Sequence, residues 1–555
     1  MILGIFAALA ALRILFVTHY RFDSDEPQHL HVVWGWTHGL VQYRDVFDNH
    51  TPLFHLASIP IFRWVGERAD ALIWMRLAMV PLFVLCLACI YRLGTLIQSR
   101  ETGLWGAVLA ALTPGLGFTF TEYRADDLWA ALWLCSLAVL LGGSPSWRRG
   151  LIAGLLFGAT LSTSLKTLAL LGCLGAAALT ALALERTWKT AFTSRKTYEM
   201  LFAIIAGGCV VPGLLALWFA RLHALDDALY GIFTYNSVAR LGRLRSLRAV
   251  ILGSAEFVAL LALLIPASAW MARRLIAPER RLRFHLVFLG SGFYGALIYT
   301  LWPLLDAEHL IPCHPLFALG LTPLLLHLAA PSTHPQCTSR RTAWLAAAAI
   351  AIGGVEAFLV RNNSTARQVS VYAELLRLSD PSDLVMDLKG ESIFRQRPYR
   401  QVFEGVGIAL AQREALPDDI PEKLIATHTC IAVRSNYRFT YLRTLAFMES
   451  NYLAVGKYRV LGNSMKNAGD GRFTFNVTIP ETFAFVANGQ VVKGLLDGND
   501  CPGFAPLAAG PHEFIPTRRC SQIDFVWKRA IDRGFSPTHP VSKHLPDLSG
   551  YLPSI

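Results

Sequence analysis

The chain is 555 residues long, 54% hydrophobic and only 16% charged, with a mean hydropathy of +0.41. Apolar runs long enough to cross a bilayer recur along it, which excludes a soluble enzyme and predicts a polytopic α-helical membrane protein. The formal net charge of +12 does not indicate a nucleic-acid partner, because most Lys and Arg residues lie in short loops between apolar runs, where the positive-inside rule puts them.

The first apolar run, Met1 to Val17, has no basic leader and no small-residue cleavage site, so it reads as a retained span. With roughly 20 apolar residues needed per crossing, about eleven spans are expected, at residues 2–18, 72–91, 103–120, 128–143, 150–165, 167–184, 200–220, 250–270, 285–305, 310–329 and 343–360. Arg92 and Arg100, Arg148 and Arg149, Arg186 to Lys196, Arg273 to Arg283, and Arg340 and Arg341 fall on alternate sides of successive spans. That side is cytoplasmic. The opposite, periplasmic side holds a first external loop at 19–71, the Tyr123–Asp127 turn, the Lys166 turn, the 221–249 loop, the Asp306–His309 turn and everything after residue 360.

The 221–249 loop departs from the charge rule, since it carries Arg221, Arg240, Arg243, Arg245 and Arg248 on the outer side. Two readings stand: an amphipathic helix among the headgroups, or recognition of an anionic headgroup or phosphate by guanidinium forks, with Arg240 and Arg243 as the candidates. Beyond residue 360 the chain turns polar and rich in Pro and Gly. A helix at Tyr372–Leu378 and strands at 383–387 and Thr429–Val433 predict an α/β region over 361–465. From Arg472 the alternation of Phe, Val and Ile with polar residues, and the Asn488-Gly489 pair between short apolar runs, predict a β-hairpin in a β-sandwich-like region over 466–555. Six of the ten cysteines lie in expected spans and act as small hydrophobes. Cys501 and Cys520 are placed to form a disulfide in an oxidising compartment.

The chemistry-bearing residues collect in the external loops. Asp23-Ser24-Asp25-Glu26-Pro27 reads as a helix start, because Pro suits the first turn and acids suit the N-terminus. That terminus favours an ionised carboxylate. Asp25 can then serve as a general base, with Glu26 beside it and His29 one turn further on. The second loop supplies Glu122, Arg124, Asp126 and Asp127, whose plain alternative is helix capping. Lys166, Asp306, Glu308 and His309 add charges at the same depth, where unpaired charge is costly and must meet a partner or a polar ligand. Asp25, Asp126 and His29 could also hold a divalent ion, although no spacing specifies one.

The acids of the first loop, the run Gly39-Leu40-Val41-Gln42-Tyr43-Arg44-Asp45, the element Asn49-His50-Thr51-Pro52-Leu53, the Arg124-Ala125-Asp126 turn and His309-Leu310-Ile311-Pro312 together resemble the bacterial GT-C glycosyltransferases. These include the aminoarabinose transferase of lipid A and the protein O-mannosyltransferases. The resemblance covers most of residues 1–330. It implies a GT-C-type transmembrane domain over 1–360, a polyprenyl-phosphate sugar donor, and a lipid, glycan or protein acceptor outside the inner membrane. It further implies that Asp25 is the base, Glu26 its acidic partner and Asp126 the second-loop acid, with Asp23, His29, His50, Arg124, Lys166, Arg240, Arg243, Glu308 and His309 around the substrates. Membrane lipids are its other partners, and no cofactor is firmly implied. Two departures stand out: His309 replaces the Tyr that many relatives carry, and the first-loop acid is duplicated as Asp23 and Asp25. A transporter or flippase would instead show inverted repeats or paired broken helices, which the sequence lacks; a non-catalytic envelope scaffold would not need Asp25. The enzyme reading expects Asp25, His50 and Asp126 to converge beneath the Arg240 loop.

Overall fold

The computed structural model describes residues 2–238, 246–302, 306–329, 335–433, 441–467 and 471–537. It divides into two units. The first comprises Met1–His29, Asn49–Val65 and Ala71–Ala366; the second comprises Leu30–Asp48, Gly66–Asp70 and Arg367–Ile555.

The first unit is helical. Its elements are α1 (Ile2–His19), the start of α2 (Asp25–Thr37), α3 (Leu53–Val65), α4 (Ala71–Leu77), α5 (Val80–Ile97), α6 (Arg100–Ala111), α7 (Ala125–Leu141), α8 (Trp147–Thr163), α9 (Thr167–Leu184), α10 (Arg195–Arg221), α11 (Leu247–Leu275), α12 (Arg281–Leu301), α13 (His314–Ala329) and α14 (Pro335–Leu359). Among the described residues, five spans are long and apolar enough to cross a membrane: Ala71–Ile97, Thr167–Leu184, Arg195–Arg221, Arg248–Leu275 and Pro278–Leu301. Shorter apolar helices accompany them at Gly4–His19, Leu53–Val65, His314–Ala329 and Ala343–Leu359. The run expected as one span at 103–120 is instead α6 followed by Gly115–Thr121, bent by 75°. Pro114 sits at that break and cannot continue an α-helical ladder.

Local chemistry sets several of the starts. Ser99, Ser146 and Ser246 cap α6, α8 and α11 by accepting from the backbone N–H of Thr102, Arg149 and Ala249, satisfying donors that a helix leaves unpaired. Gly150, Gly154 and Gly158 lie along one face of α8, each with its α-carbon against the backbone of α10. A side chain at Gly154 would collide with the Ile204 carbonyl, and one at Gly207 would come within 2.6 Å of the Leu151 carbonyl oxygen. Small residues therefore let the two helices touch backbone to backbone. A polar triad joins three further elements: Ser268 on α11 lies 2.7 Å from Nδ1 of buried His285 on α12, whose Nε2 is 3.1 Å from Glu185 at the end of α9.

Of the 221–249 loop, read either as an amphipathic headgroup helix or as an anion-recognition segment, the structure describes 221–238 and 246–249. α10 ends at Arg221, a five-residue α-helix covers Leu225–Leu229, and Tyr230–Tyr235 is a π-helix running into Asn236–Val238. Arg240, Arg243 and Arg245 lie outside the described residues.

The second unit is mixed α/β. Among the described residues it contains the helix α15 (Thr365–Leu378), four shorter helices and twelve strands: β1 (Val385–Met386), β2 (Ile431–Val433), β3 (Tyr452–Val455), β4 (Tyr458–Lys466), β5 (Phe473–Val477), β6 (Glu481–Ala487), β7 (Gln490–Val491), β8 (Gly494–Leu496), β9 (Asn499–Cys501), β10 (Phe504–Leu507), β11 (Gly510–Pro516) and β12 (Gln522–Trp527). One sheet follows the order β1-β2-β4-β12-β6-β10, with β3 on β4 and β7 on β6; the other is β5-β11-β8-β9. The long β4 carries the first sheet from the α/β strands into the all-β part through its antiparallel pairing with β12. The expected hairpin is β6–β7, where Ala487 pairs with Gln490 and both Asn488 and Gly489 take positive φ, the conformation that a type I′ turn demands. The two sheets meet through Phe485 and Phe514, stacked at 3.9 Å. Cys501 and Cys520 are free thiols, so the expected disulfide is not formed. Within this unit, the 30–48 and 66–70 segments are tied to the later chain: His31 bonds the Ile393 carbonyl at 2.8 Å, and Arg395 pairs with Glu67 at 3.1 Å.

The glycine contact gives a direct test. Gly154→Leu is expected to push α8 and α10 apart and cost about 1–3 kcal/mol through overpacking, read as a lowered melting temperature in detergent. Gly172→Leu on α9, where a Cβ meets nothing within 4 Å, is expected to melt as the wild type does.

Candidate active site

At the start of α2 the acids do two different jobs. The Asp23 carboxylate accepts from the Asp25 N–H at 3.0 Å, and Glu26 accepts from the Asp23 N–H at 2.7 Å, a reciprocal arrangement like a capping box. Glu26 is fully buried. Its two oxygens face the Arg76 guanidinium at 2.5 and 2.7 Å and also accept from the Tyr123 N–H at 2.8 Å. Arg76, equally buried, donates its remaining hydrogens to the carbonyls of Val17, Tyr20 and Arg21. One ion pair thus ties the end of α1, the start of α2, α4 and the second loop together. The consequence is that Glu26 faces inward and leaves Asp23 and Asp25 partly exposed.

Arg124 is the hub of the outward layer. Its side chain is only 6% exposed and reaches Asp23 at 2.6 Å, Asp25 at 2.9 Å, Glu308 at 3.1 Å, Asp126 at 3.5 Å and Glu122 at 3.8 Å. Lys166, in the turn between α8 and α9, meets the other oxygen of Asp126 at 2.9 Å and lies over the Trp129 ring. The structure therefore joins Asp23, Asp25, Arg124, Asp126, Lys166 and Glu308 into one connected set. Cations and anions within it are unequal, and their protonation follows. Burial pushes the Asp126 carboxyl up, but Lys166 and Arg124 overcome that and hold it well below the usual carboxylate range. Burial and the neighbouring Asp23 raise Glu122 well above its ordinary value against the pull of Arg124. Burial likewise raises Asp306 and Glu308, with Arg124 opposing.

The histidines form a second group one turn along α2. His29 Nδ1 is 2.9 Å from His55 Nε2 on α3, and the ring of His29 is 4.7 Å from that of His50. His50 thus packs on His29, while Asp25 and Asp126 meet at Arg124. Arg240 and Arg243 lie outside the described residues, so nothing places them over this set. The convergent metal-like group is also different from the one expected. Among the described residues, Asp306, Glu308 and His309 bring one ligand atom each within 4.8 Å of one another; Asp25, Asp126 and His29 do not. Two carboxylates and an imidazole suit a divalent ion of borderline hardness.

Arg76 and His55 were given no role by the sequence reading, and Glu122 was named only among the second-loop acids. The signal for Arg76 was available, because a lone arginine within the apolar run 72–91 must have a buried partner. His55 carries no such signal on the apolar face of α3.

No protein-family model matches the chain, and no curated protein matches it. Solved structures do. ArnT from Cupriavidus metallidurans in the apo state superposes with a TM-score of 0.52 at 13% identity, covering 83% of this chain and 97% of that one. The same protein bound to undecaprenyl phosphate gives 0.53 at 12% identity with the same coverage. An oligosaccharyltransferase from Archaeoglobus fulgidus in the apo form gives 0.46 at 12% identity, covering 80% of this chain and 71% of that one.

The Glu26–Arg76 pair is testable without an assay. Glu26→Gln, which strands a buried guanidinium, is expected to cost about 3–5 kcal/mol, seen as a lower midpoint in thermal or denaturant unfolding. The double replacement Glu26→Leu with Arg76→Met is expected to recover much of that loss. The chain is a multi-pass membrane protein with the fold that ArnT from Cupriavidus metallidurans displays.

Proposed function

We propose that this protein is a glycosyltransferase that moves a sugar from a polyprenyl-phosphate donor to a lipid, glycan or protein acceptor. The observation that carries the proposal is the Arg124 hub, which gathers acids from three external segments around the exposed start of α2. The ArnT fold supports it, since that protein was crystallised with undecaprenyl phosphate. The same reading places the protein in the bacterial inner membrane, with about eleven spans, the acid site and the regions 361–465 and 466–555 on the periplasmic side, and cytoplasmic basic loops.

In this mechanism Asp25 accepts the proton of the acceptor hydroxyl as its oxygen forms a bond to the anomeric carbon, and the bond from that carbon to the phosphate oxygen breaks. The polyprenyl phosphate leaves with the electron pair. Lys166, beside Asp126, and His50 supply positive charge or hydrogen bonds for it. Arg124 positions Asp25 through its 2.9 Å contact, and Glu26 acts from below as a positioning group through Arg76. Asp306, Glu308 and His309 form the acceptor-side wall and are the residues that would hold a divalent ion, which would supply a further positive charge at that wall.

Asp25→Asn is expected to lower transfer of labelled sugar by about 10²–10⁴-fold with the melting temperature unchanged. Undiminished transfer by the purified variant would remove Asp25 from the role of base. The Lys166→Met variant is expected to weaken donor use and leave folding intact, measured as a rise in donor KM.

A further inference from the structure

Beneath the outward layer lies a second polar group that the proposed reaction does not use. Arg13 on α1, Asp127 on α7 and Glu356 on α14 are 5%, 0% and 5% exposed. Arg13 donates to the carbonyls of Gly117 and Leu116 at the bend after α6, and Gly117 stands against Glu356, since a Cβ there would be 3.2 Å from its Oε1. Four polar atoms of this group have no hydrogen-bond partner among the described residues: Arg13 Nε, both oxygens of Asp127, and Glu356 Oε2. Arg13 nonetheless interacts electrostatically with both acids, which makes it the charged group common to the two.

We propose that Arg13, Asp127 and Glu356 form a proton-binding site with bridging water inside the membrane-spanning unit. The charge count requires the proton. Two carboxylates face a single guanidinium, and a residual negative charge in so apolar a setting is far costlier than a protonated acid. Among the described residues Arg13 is the cation that both acids share: Asp127 also faces Asp126, Glu122, the Cys86 thiol and Arg124, which is itself shared among five acids, while Glu356 faces Arg13. The unpartnered atoms require the water. Arg13 Nε is a donor, and the Asp127 oxygens and Glu356 Oε2 are acceptors, that buried water satisfies where protein groups do not. One carboxyl is therefore neutral, and the other is ionised and balanced by Arg13. Because Asp127 directly follows Asp126 in the first turn of α7, the occupancy of this site bears on the helix end that presents Asp126 to Lys166. The inference rests on burial and charge, and does not depend on the transferase reading.

The test uses the full-length protein in nanodiscs. Infrared spectra at neutral pH, in water and deuterium oxide, are expected to contain a protonated-carboxyl component that is lost from Asp127→Asn and equally from Glu356→Gln, since each leaves one acid ionised against Arg13. Each single amide is expected to melt within a few degrees of the wild type, whereas the double amide, with Arg13 unpaired, is expected to melt well below either. A component that persists in both single variants overturns the shared proton. A double amide that melts with the singles shows that Arg13 needs neither acid, and overturns the site.

Discussion

The Glu26–Arg76 ion pair is the constraint on which the architecture of the site depends. Two buried charges are tolerated because each is fully committed: the carboxylate takes the guanidinium fork and a backbone N–H, and the guanidinium spends its other hydrogens on three carbonyls. A pair so satisfied acts as a register device between chain segments. It fixes the end of α1 against the start of α2, and since Pro27 and the capping acids set the helix start, the side chains of Asp23 and Asp25 have only one direction left to face. The acids of the outer layer are thus positioned by the acid of the inner one.

Arg124 works under opposite conditions. Where Arg76 meets one carboxylate, Arg124 is shared by five, and it cannot neutralise them all. The surplus shows in the directions of titration: Glu122 and Glu308 are pushed up by burial, and Asp126 is held down by its second cation, Lys166. A set of neighbouring carboxyls with values driven apart is what acid–base chemistry needs. It is also a local cost to folding, and sites that break the rules of a stable core in this way are where function concentrates.

Much of this was legible in the sequence. The membrane character, the helix start at Asp23–Pro27, the hairpin at Asn488-Gly489 and the acids of the first and second loops all follow from periodicity, capping chemistry and turn chemistry, which are local. What was not legible is pairing at long range. That Glu26 would turn inward depends on Arg76, fifty positions away, and nothing in the first loop distinguishes an acid destined for burial from one left at the surface. The break after α6 was hidden because both halves are apolar, so hydropathy sees one span where Pro114 makes two pieces. The stacking of His50 on His29 and the pairing of His29 with His55 at the α2–α3 contact are packing outcomes that spacing alone does not encode.

The same contrast explains how the fold can match ArnT at 12–13% identity while no family model recognises the chain. Helices such as α10 and α11 present long apolar faces, with Phe202, Ile205, Leu214, Leu217, Ile251 and Leu263 largely exposed. A lipid-facing position requires only an apolar side chain, so most residues there are interchangeable without energetic penalty. Constraint is confined to the glycines that let α8 meet α10, to the buried charges that must find partners, and to the acids at the start of α2. These are few, and they are scattered along the chain. A fold specified by so sparse a set of polar and small-residue contacts can keep its geometry long after its sequence has ceased to resemble that of any relative.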